Sequence, residues 1–203
     1  MKTKILSVKG NWQDVVDDCR TTVGKDALGK EPSEKFKREI LISEHSPIRS
    51  LSVRWKWVNI PSWVATHFSR HKWECFIKTQ RTDRTNVDRN KLPQDAPVIM
   101  TGDANIQYLI DMARKRLCRM ASKETRKYME DLKTAIHMVE PEVSNVLVPN
   151  CVYRCGCPEP NCCGTEGNSY WDHLVKQTNG AILTSDIQER YDIYNNLFWR
   201  RDS

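Results

Sequence analysis

The sharpest alternation in the chain is "RSLSVRWKWV", in which Leu51, Val53, Trp55 and Trp57 fall on one side and Ser52, Arg54 and Lys56 on the other. A period of two with one apolar side predicts a strand with one buried face. Helical spacing takes over around it. Residues 10–24 place Val15, Val16 and Cys19 on one face. Pro61 suits a helix start, and Trp63, Val64, His67, Phe68 and His71 then follow helical spacing, so Arg70 and His71 are expected in the last turn of that helix. Asp103 is a candidate cap for a helix from Ala104 to Met120, with Ile106, Leu109, Ile110, Ala113 and Leu117 as its apolar stripe. Ser122 is a candidate cap for the next helix, turning Thr125, Tyr128, Met129, Leu132 and Ile136 inward until Pro141 stops it. "GKDALGKEPSEKFK" reads as a loop or short helix with little core, and "TDRTNVDRNKLPQDAPV" as a loop. Residues 181–203 read as helical. Helices around a small sheet make an α+β fold.

A chain of 203 residues can bury one sizeable core, so one domain with an appendage is expected. The character changes after Pro149, where "NCVYRCGCPEPNCCGTEGNS" is rich in Cys, Gly, Pro and Asn. The expected division is a main domain over 1–149 and a Cys-rich segment with a helical extension over 150–203. No apolar run is long enough to span a bilayer or to form a signal peptide, which leads us to expect a cytoplasmic protein without a membrane partner.

The net charge of +6 suits an anionic partner, and its distribution sharpens the point. Residues 70–91 hold seven Lys/Arg against three Asp/Glu, and residues 114–127 hold seven against one. Basic clusters ordinarily form a solvated surface. Here, however, Arg116 interrupts an amphipathic helix, and Arg70 and Arg89 flank one short stretch. Three arginines from three segments can converge on a phosphate or on a ring that becomes an anion, because guanidinium forms bidentate bonds to such groups.

Two metal motifs need weighing. His67 and His71 are four apart, but the zinc-protease pattern requires Glu directly after the first His, and Phe68 stands there. The five clustered cysteines offer enough thiolates for a tetrahedral zinc site, with Cys151, Cys155, Cys157 and Cys162 as candidate ligands. Their spacing is not that of paired Cys-x-x-Cys knuckles, and a reduced structural loop is the other reading.

These residues together resemble the flavin-dependent (alternative) thymidylate synthases, as a compact, divergent member. The resemblance runs in pieces from residue 10 to about residue 140. "GNWQDVVDDCRTTV" resembles the N-terminal helix of the family, with Arg20 at its arginine, and "EHSPIRSLSVRW" resembles the family's strand entry. "IPSWVATHFSRHK" resembles the helix carrying the Arg-His-Arg hallmark. "DRNKLP" looks like the family's Arg-x-x-Leu-Pro. "NIQYLIDMARKRLCRMASKETRKY" aligns without gaps, with Asn105, Arg116, Ala121 and Glu124 on matching positions.

The resemblance implies a small, mostly antiparallel sheet flanked by helices, and a homotetramer with FAD at subunit junctions. It implies conversion of deoxyuridylate (dUMP) to thymidylate, with methylenetetrahydrofolate as carbon donor and NADPH as reductant. Nucleic acid is not the implied partner, and no cysteine nucleophile is required. Flavin contacts fall to Ser46, Arg70, His71, Lys72, Asn105, Ile106, Gln107 and Asp111. Contacts to deoxyuridylate fall to His67, Arg70, Thr79, Gln80, Arg81, Arg89 and Arg116, with Arg116 the catalytic residue that stabilises charge on the uracil ring. The chain departs from the family pattern at several points. Lys72 replaces the third hallmark residue, the seven-residue spacing reaches Gln80 in place of Ser, and Gln107 replaces an arginine. A related hydroxymethylation of the same pyrimidine carbon, or a catalytically silent nucleotide-binding form, are the alternatives.

Overall fold

A computed structural model describes residues 3–200; the last residues of the helical segment expected over 181–203 lie outside them. The elements run β1 (Thr3–Lys9), α1 (Trp12–Thr21), α2 (Glu34–Ile42), β2 (Ser52–Pro61), α3 (Ser62–Phe68), β3 (Glu74–Ile77), α4 (Thr82–Thr85), β4 (Pro97–Asn105), α5 (Ile106–Arg116), α6 (Lys123–His137), α7 (Pro141–Asn145), α8 (Asn150–Tyr153), α9 (Tyr170–Gln177) and α10 (Ile187–Trp199). They form two compact units. One contains the residues up to Glu31 and Ser46–Tyr108, the other Pro32–His45 and the residues from Leu109 onward. Residue 150 lies inside the second unit.

The first unit is built on a sheet of order β1-β2-β4-β3, antiparallel at every junction. β2 buries the face its alternation predicts, with Val53, Trp55 and Trp57 fully enclosed and Arg54 exposed. β4 shows the same period, burying Val98, Met100, Gly102 and Ala104. Ala104 and Asn105 were expected in a helix and are instead strand, because Val53 pairs with Ala104 and Ser52 with Asn105, which carries the ladder to the end of β4. The helix therefore starts at Ile106, whose N–H is donated to Leu51 O at 3.1 Å. Asn105 takes the capping role expected of Asp103, its Oδ1 accepting the Tyr108 N–H at 3.0 Å. Asp103 is paired with Lys9 across the sheet. The helix also ends early, at Arg116.

In the second unit, α2 begins inside the segment read as polar, because Ser33 caps it and Ile40 and Leu41 give it a buried edge. α6 is capped by Ser122 as expected and buries Thr125, Tyr128, Met129, Leu132 and Ile136. Pro141 opens α7 rather than merely ending α6. Arg190 on α10 is buried and donates to Val152 O at 2.7 Å, Thr184 O at 2.6 Å and Tyr153 O at 3.1 Å. Those bonds satisfy backbone acceptors at the end of α8 and after the short turn Ala181–Leu183. No helix among the described residues is long and apolar enough to cross a membrane.

Lys133 has no exposure at all. Its Nζ donates to Ser144 O (2.6 Å), Leu147 O (3.0 Å) and Asn195 Oδ1 (2.8 Å), beside the rings of Tyr194, Phe198 and Trp199. Burial pushes its pKa down to about 7 from the usual 10.5. Between those two pH values the unfolded chain holds a proton that the folded chain releases, so this group makes stability rise with pH over that window. We therefore expect the native protein to gain on the order of 1 kcal/mol per pH unit relative to Lys133→Met between pH 7 and 10. Urea unfolding of both proteins measures this, and a stability difference flat with pH would contradict it.

Candidate functional site

The basic triplet Arg70-His71-Lys72 belongs to the first unit and sits just after α3, not in its last turn. The helix stops because the Phe68 carbonyl accepts the His71 N–H at 3.2 Å and the Trp73 indole N–H at 2.6 Å. The Trp73 N–H in turn is donated to His71 O at 3.0 Å. The Trp73 ring lies flat on Trp55, with centroids 4.7 Å apart and planes within 8°, and stands edge-on to Trp57. The turn is thus bolted to the core through one indole, a fixed geometry for the charges it carries. Arg70 and Lys72 are exposed, and neither is in an ion pair with a described residue.

Gly102 makes this packing fit. It faces Trp55 on one side of β4 and Cys75 on the other, and a Cβ built there would lie 2.5 Å from a Trp55 ring carbon and nearer still to one of Trp73, closer than any real contact. Neither Trp73 nor Gly102 emerges from motif reasoning. The available signal was an aromatic directly after the basic triplet and a glycine in an otherwise alternating segment.

Beyond β3, Thr79 and Gln80 line a cavity of about 210 Å³ with Thr85, Val87, Leu92 and Val98. Arg81 directs its guanidinium to Asp83 in a two-pronged contact of 3.0 and 2.7 Å. Asp83 stands only two residues on, at the exposed start of α4, which makes this local pairing hard to avoid. Arg89 opens the short turn Arg89–Lys91, its N–H donated to Thr82 Oγ1 at 3.2 Å; its side chain is exposed and in no ion pair with a described residue. His67 is half-buried, edge-on to Trp63 at 5.3 Å. Ser46 is exposed at the start of the turn Ser46–Ser50. At the β4–α5 junction, Ile106 is buried and Gln107 half-buried.

Asp111 and Arg116 belong to the second unit. Asp111 is 3.6 Å from Arg114, which also pairs with Glu44 and lies over the Tyr153 ring at 3.6 Å. Arg116 is half-buried in the last turn of α5. Among the described residues no three His, Cys, Asp or Glu side chains are grouped so as to hold a metal ion. The candidate zinc ligands differ in burial: Cys151 is buried in α8, where its thiol is pushed up to about 12 by burial and, to a lesser degree, by Cys118, Cys157 and Cys163, while Cys157 is exposed. Cys157 and Cys162 share a hydrogen bond, which lowers the Cys162 pKa. The Cys163 Sγ accepts the Tyr170 N–H at 3.3 Å.

Neither a protein-family model nor a curated relative matches the sequence. Solved structures do match the fold. A UMP/dUMP methylase from Streptomyces cacaoi bound with 5-Br dUMP superposes with a TM-score of 0.58 at 15% identity, covering 71% of this chain and 93% of the methylase. A flavin-dependent thymidylate synthase from Helicobacter pylori, complexed with FAD and dUMP, superposes with a TM-score of 0.59 at 12% identity, covering 72% of this chain and 98% of the synthase. The antiparallel sheet with its surrounding helices is therefore the fold of the flavin-dependent thymidylate synthases.

Proposed function

We propose that this chain binds FAD and deoxyuridylate and makes thymidylate, with methylenetetrahydrofolate as the one-carbon donor and NADPH as the reductant. The observation that carries this reading is the Arg70–Lys72 turn, pinned by Trp73 onto Trp55 within a fold shared with an enzyme that binds FAD and dUMP. FAD carries a pyrophosphate. Arg70 and Lys72, exposed and without carboxylate partners among the described residues, are a donor set that suits it, and His71 adds a further donor. When bound, the flavin supplies reducing equivalents and relays the one-carbon unit.

The chain's own residues bind and orient the substrates. Ser46, Asn105, Ile106, Gln107 and Asp111 complete the flavin contacts in this reading. Asn105 would use its amide nitrogen, since its Oδ1 already caps α5. Arg89 holds the nucleotide phosphate, with His67, Thr79 and Gln80 around it, and Arg81 contributes once it exchanges Asp83 for the ligand. The Arg116 guanidinium stabilises the negative charge that builds on the uracil ring as its imide proton is lost. The active form is a homotetramer, as the family resemblance implies.

A silent nucleotide-binding form of the fold is the second reading, favoured by the Arg81–Asp83 pairing and by Gln107 where the family has arginine. Incubating the protein with dUMP, FAD, methylenetetrahydrofolate and NADPH and analysing the nucleotide by mass separates the readings. Thymidylate is expected. A hydroxymethylated product would move the chain to the sister reaction, and dUMP binding without any product would favour the silent form. Arg70→Ala should weaken flavin binding about tenfold, the loss of one charge-assisted contact. A variant that retains flavin as the native protein does would contradict the role given to the triplet.

A further inference from the structure

The second unit contains a cavity of about 440 Å³, lined by Arg119, Arg126, Cys163, Asn168, Tyr170, His173 and Gln177, which no part of the flavin or deoxyuridylate reading uses. Its volume suits a small metabolite. Tyr170, His173 and Gln177 recur at helical spacing along α9, so one face of that helix forms one wall. The turn between α5 and α6 and the start of α6 bring the two arginines. No acidic side chain lines the cavity.

Both guanidiniums are held by something other than a carboxylate. Arg126 Nη1 donates to Ala121 O at 2.6 Å and to Arg119 O at 3.2 Å, which orients the fork and leaves its other donors uncommitted to those carbonyls. Arg119 lies over the Tyr170 ring at 4.6 Å. Neither arginine is in an ion pair with a described residue. Asp172, next to His173 in sequence, does not line the cavity: its carboxylate accepts the Ser169 N–H at 2.8 Å and the Ser169 hydroxyl at 2.7 Å, capping α9. The result is two oriented cations facing a concave, acid-free space, with amide and imidazole donors beside them.

We propose that this cavity is a second anion site that takes the phosphate group of a small phosphorylated metabolite, Arg119 and Arg126 supplying the charge and His173, Asn168 and Gln177 further donors. Two guanidiniums suit the tetrahedral oxygens of a phosphate monoester through paired N–H···O contacts. Tyr170 keeps the Arg119 plane in place. Because none of these residues is assigned to flavin or deoxyuridylate, the proposal stands whether or not the chain makes thymidylate.

The test is titration of the full chain, labelled with ¹³C in its histidine rings, with inorganic phosphate. His173 is identified by its loss in His173→Gln. A saturable shift of the His173 resonance is expected, with affinity falling about tenfold in Arg119→Gln and in Arg126→Gln and saturation lost in the double variant. Arg119 is exposed, so Arg119→Gln should keep the native unfolding midpoint and report binding alone. Arg89→Gln should leave this response unchanged while impairing deoxyuridylate binding. Deoxyuridine, which lacks phosphate, should not move the resonance. No saturable shift in the native protein, an undiminished shift in the double variant, or an equal response to deoxyuridine would each overturn the proposal.

Discussion

Replacing Arg116 with alanine is expected to lower turnover of deoxyuridylate by about 10²–10³-fold, the usual effect of removing one preorganised donor from a developing anion. The reasoning runs through proton loss from the uracil imide. That step leaves negative charge on the ring, and a cation fixed nearby stabilises it more in the transition state than in the bound substrate. Arg116 suits this task because it is half-buried at the end of α5, on a helix whose apolar residues Leu109, Ile110 and Ala113 are fully enclosed. A rigid, partly desolvated guanidinium exerts a stronger field than one in bulk water. Its proposed partner is the nucleotide, so flavin occupancy should be close to native in Arg116→Ala. Arg116→Lys keeps the charge but loses the planar fork, and should fall between the two. Steady-state kinetics with flavin occupancy measured on the same samples check this. Native turnover in the alanine variant would remove Arg116 from the chemistry.

The second large effect is structural. Gly102→Ala should destabilise the first unit by about 3 kcal/mol, at the upper end of what overpacking ordinarily costs. The added methyl meets two stacked indoles, Trp55 and Trp73, and lies on a strand hydrogen-bonded on both sides, so neither backbone nor rings can yield readily. Flavin binding should fall as well, although Gly102 touches no proposed ligand, because displaced Trp73 no longer pins the basic turn. The two effects are separable in a double variant. Gly102→Ala with Trp73→Leu removes the closer of the two clashes, leaving that with Trp55, and should recover part of the stability, a favourable coupling between adjacent sites, while leaving flavin binding weak. Urea unfolding and flavin titration of Gly102→Ala, Trp73→Leu and the double variant measure both quantities. An unchanged unfolding midpoint in Gly102→Ala would contradict the packing argument.

What the sequence made legible follows the periodicities. The alternation around Trp55 and the stripe from Thr125 to Ile136 are strong because burial selects every second or every third to fourth residue, and both are found in the structure. The start of α5 was misplaced because its stripe is apolar under either period: Ala104 satisfies a helix pattern, yet strand pairing with Val53 holds it. α2 was missed as a core element because only Ile40 and Leu41 stand out against its charged residues.

Lys133 shows the opposite limit. Helical patterning assigns lysine to solvent, and only the three acceptors supplied by Ser144, Leu147 and Asn195, distant in sequence, make its burial tolerable. The candidate site divides in the same way. Arg70, His71, Lys72 and Arg89 were legible as residue types at motif spacing. The device that orients the triplet was not, since the contact between Trp73 and Trp55 is a tertiary one. The local pairing of Arg81 with Asp83, two residues apart, is legible in the sequence itself.

The most direct test of a flavin site built on the pinned Arg70–Lys72 turn is the visible absorbance spectrum of the purified, untagged chain during titration with FAD and then with deoxyuridylate. A bound-flavin band that saturates with added FAD and shifts when deoxyuridylate is added is the predicted result, because the reading gives both ligands adjoining residues. Absence of flavin binding at every concentration would contradict it and leave the chain with the fold of the thymidylate synthases but not their cofactor.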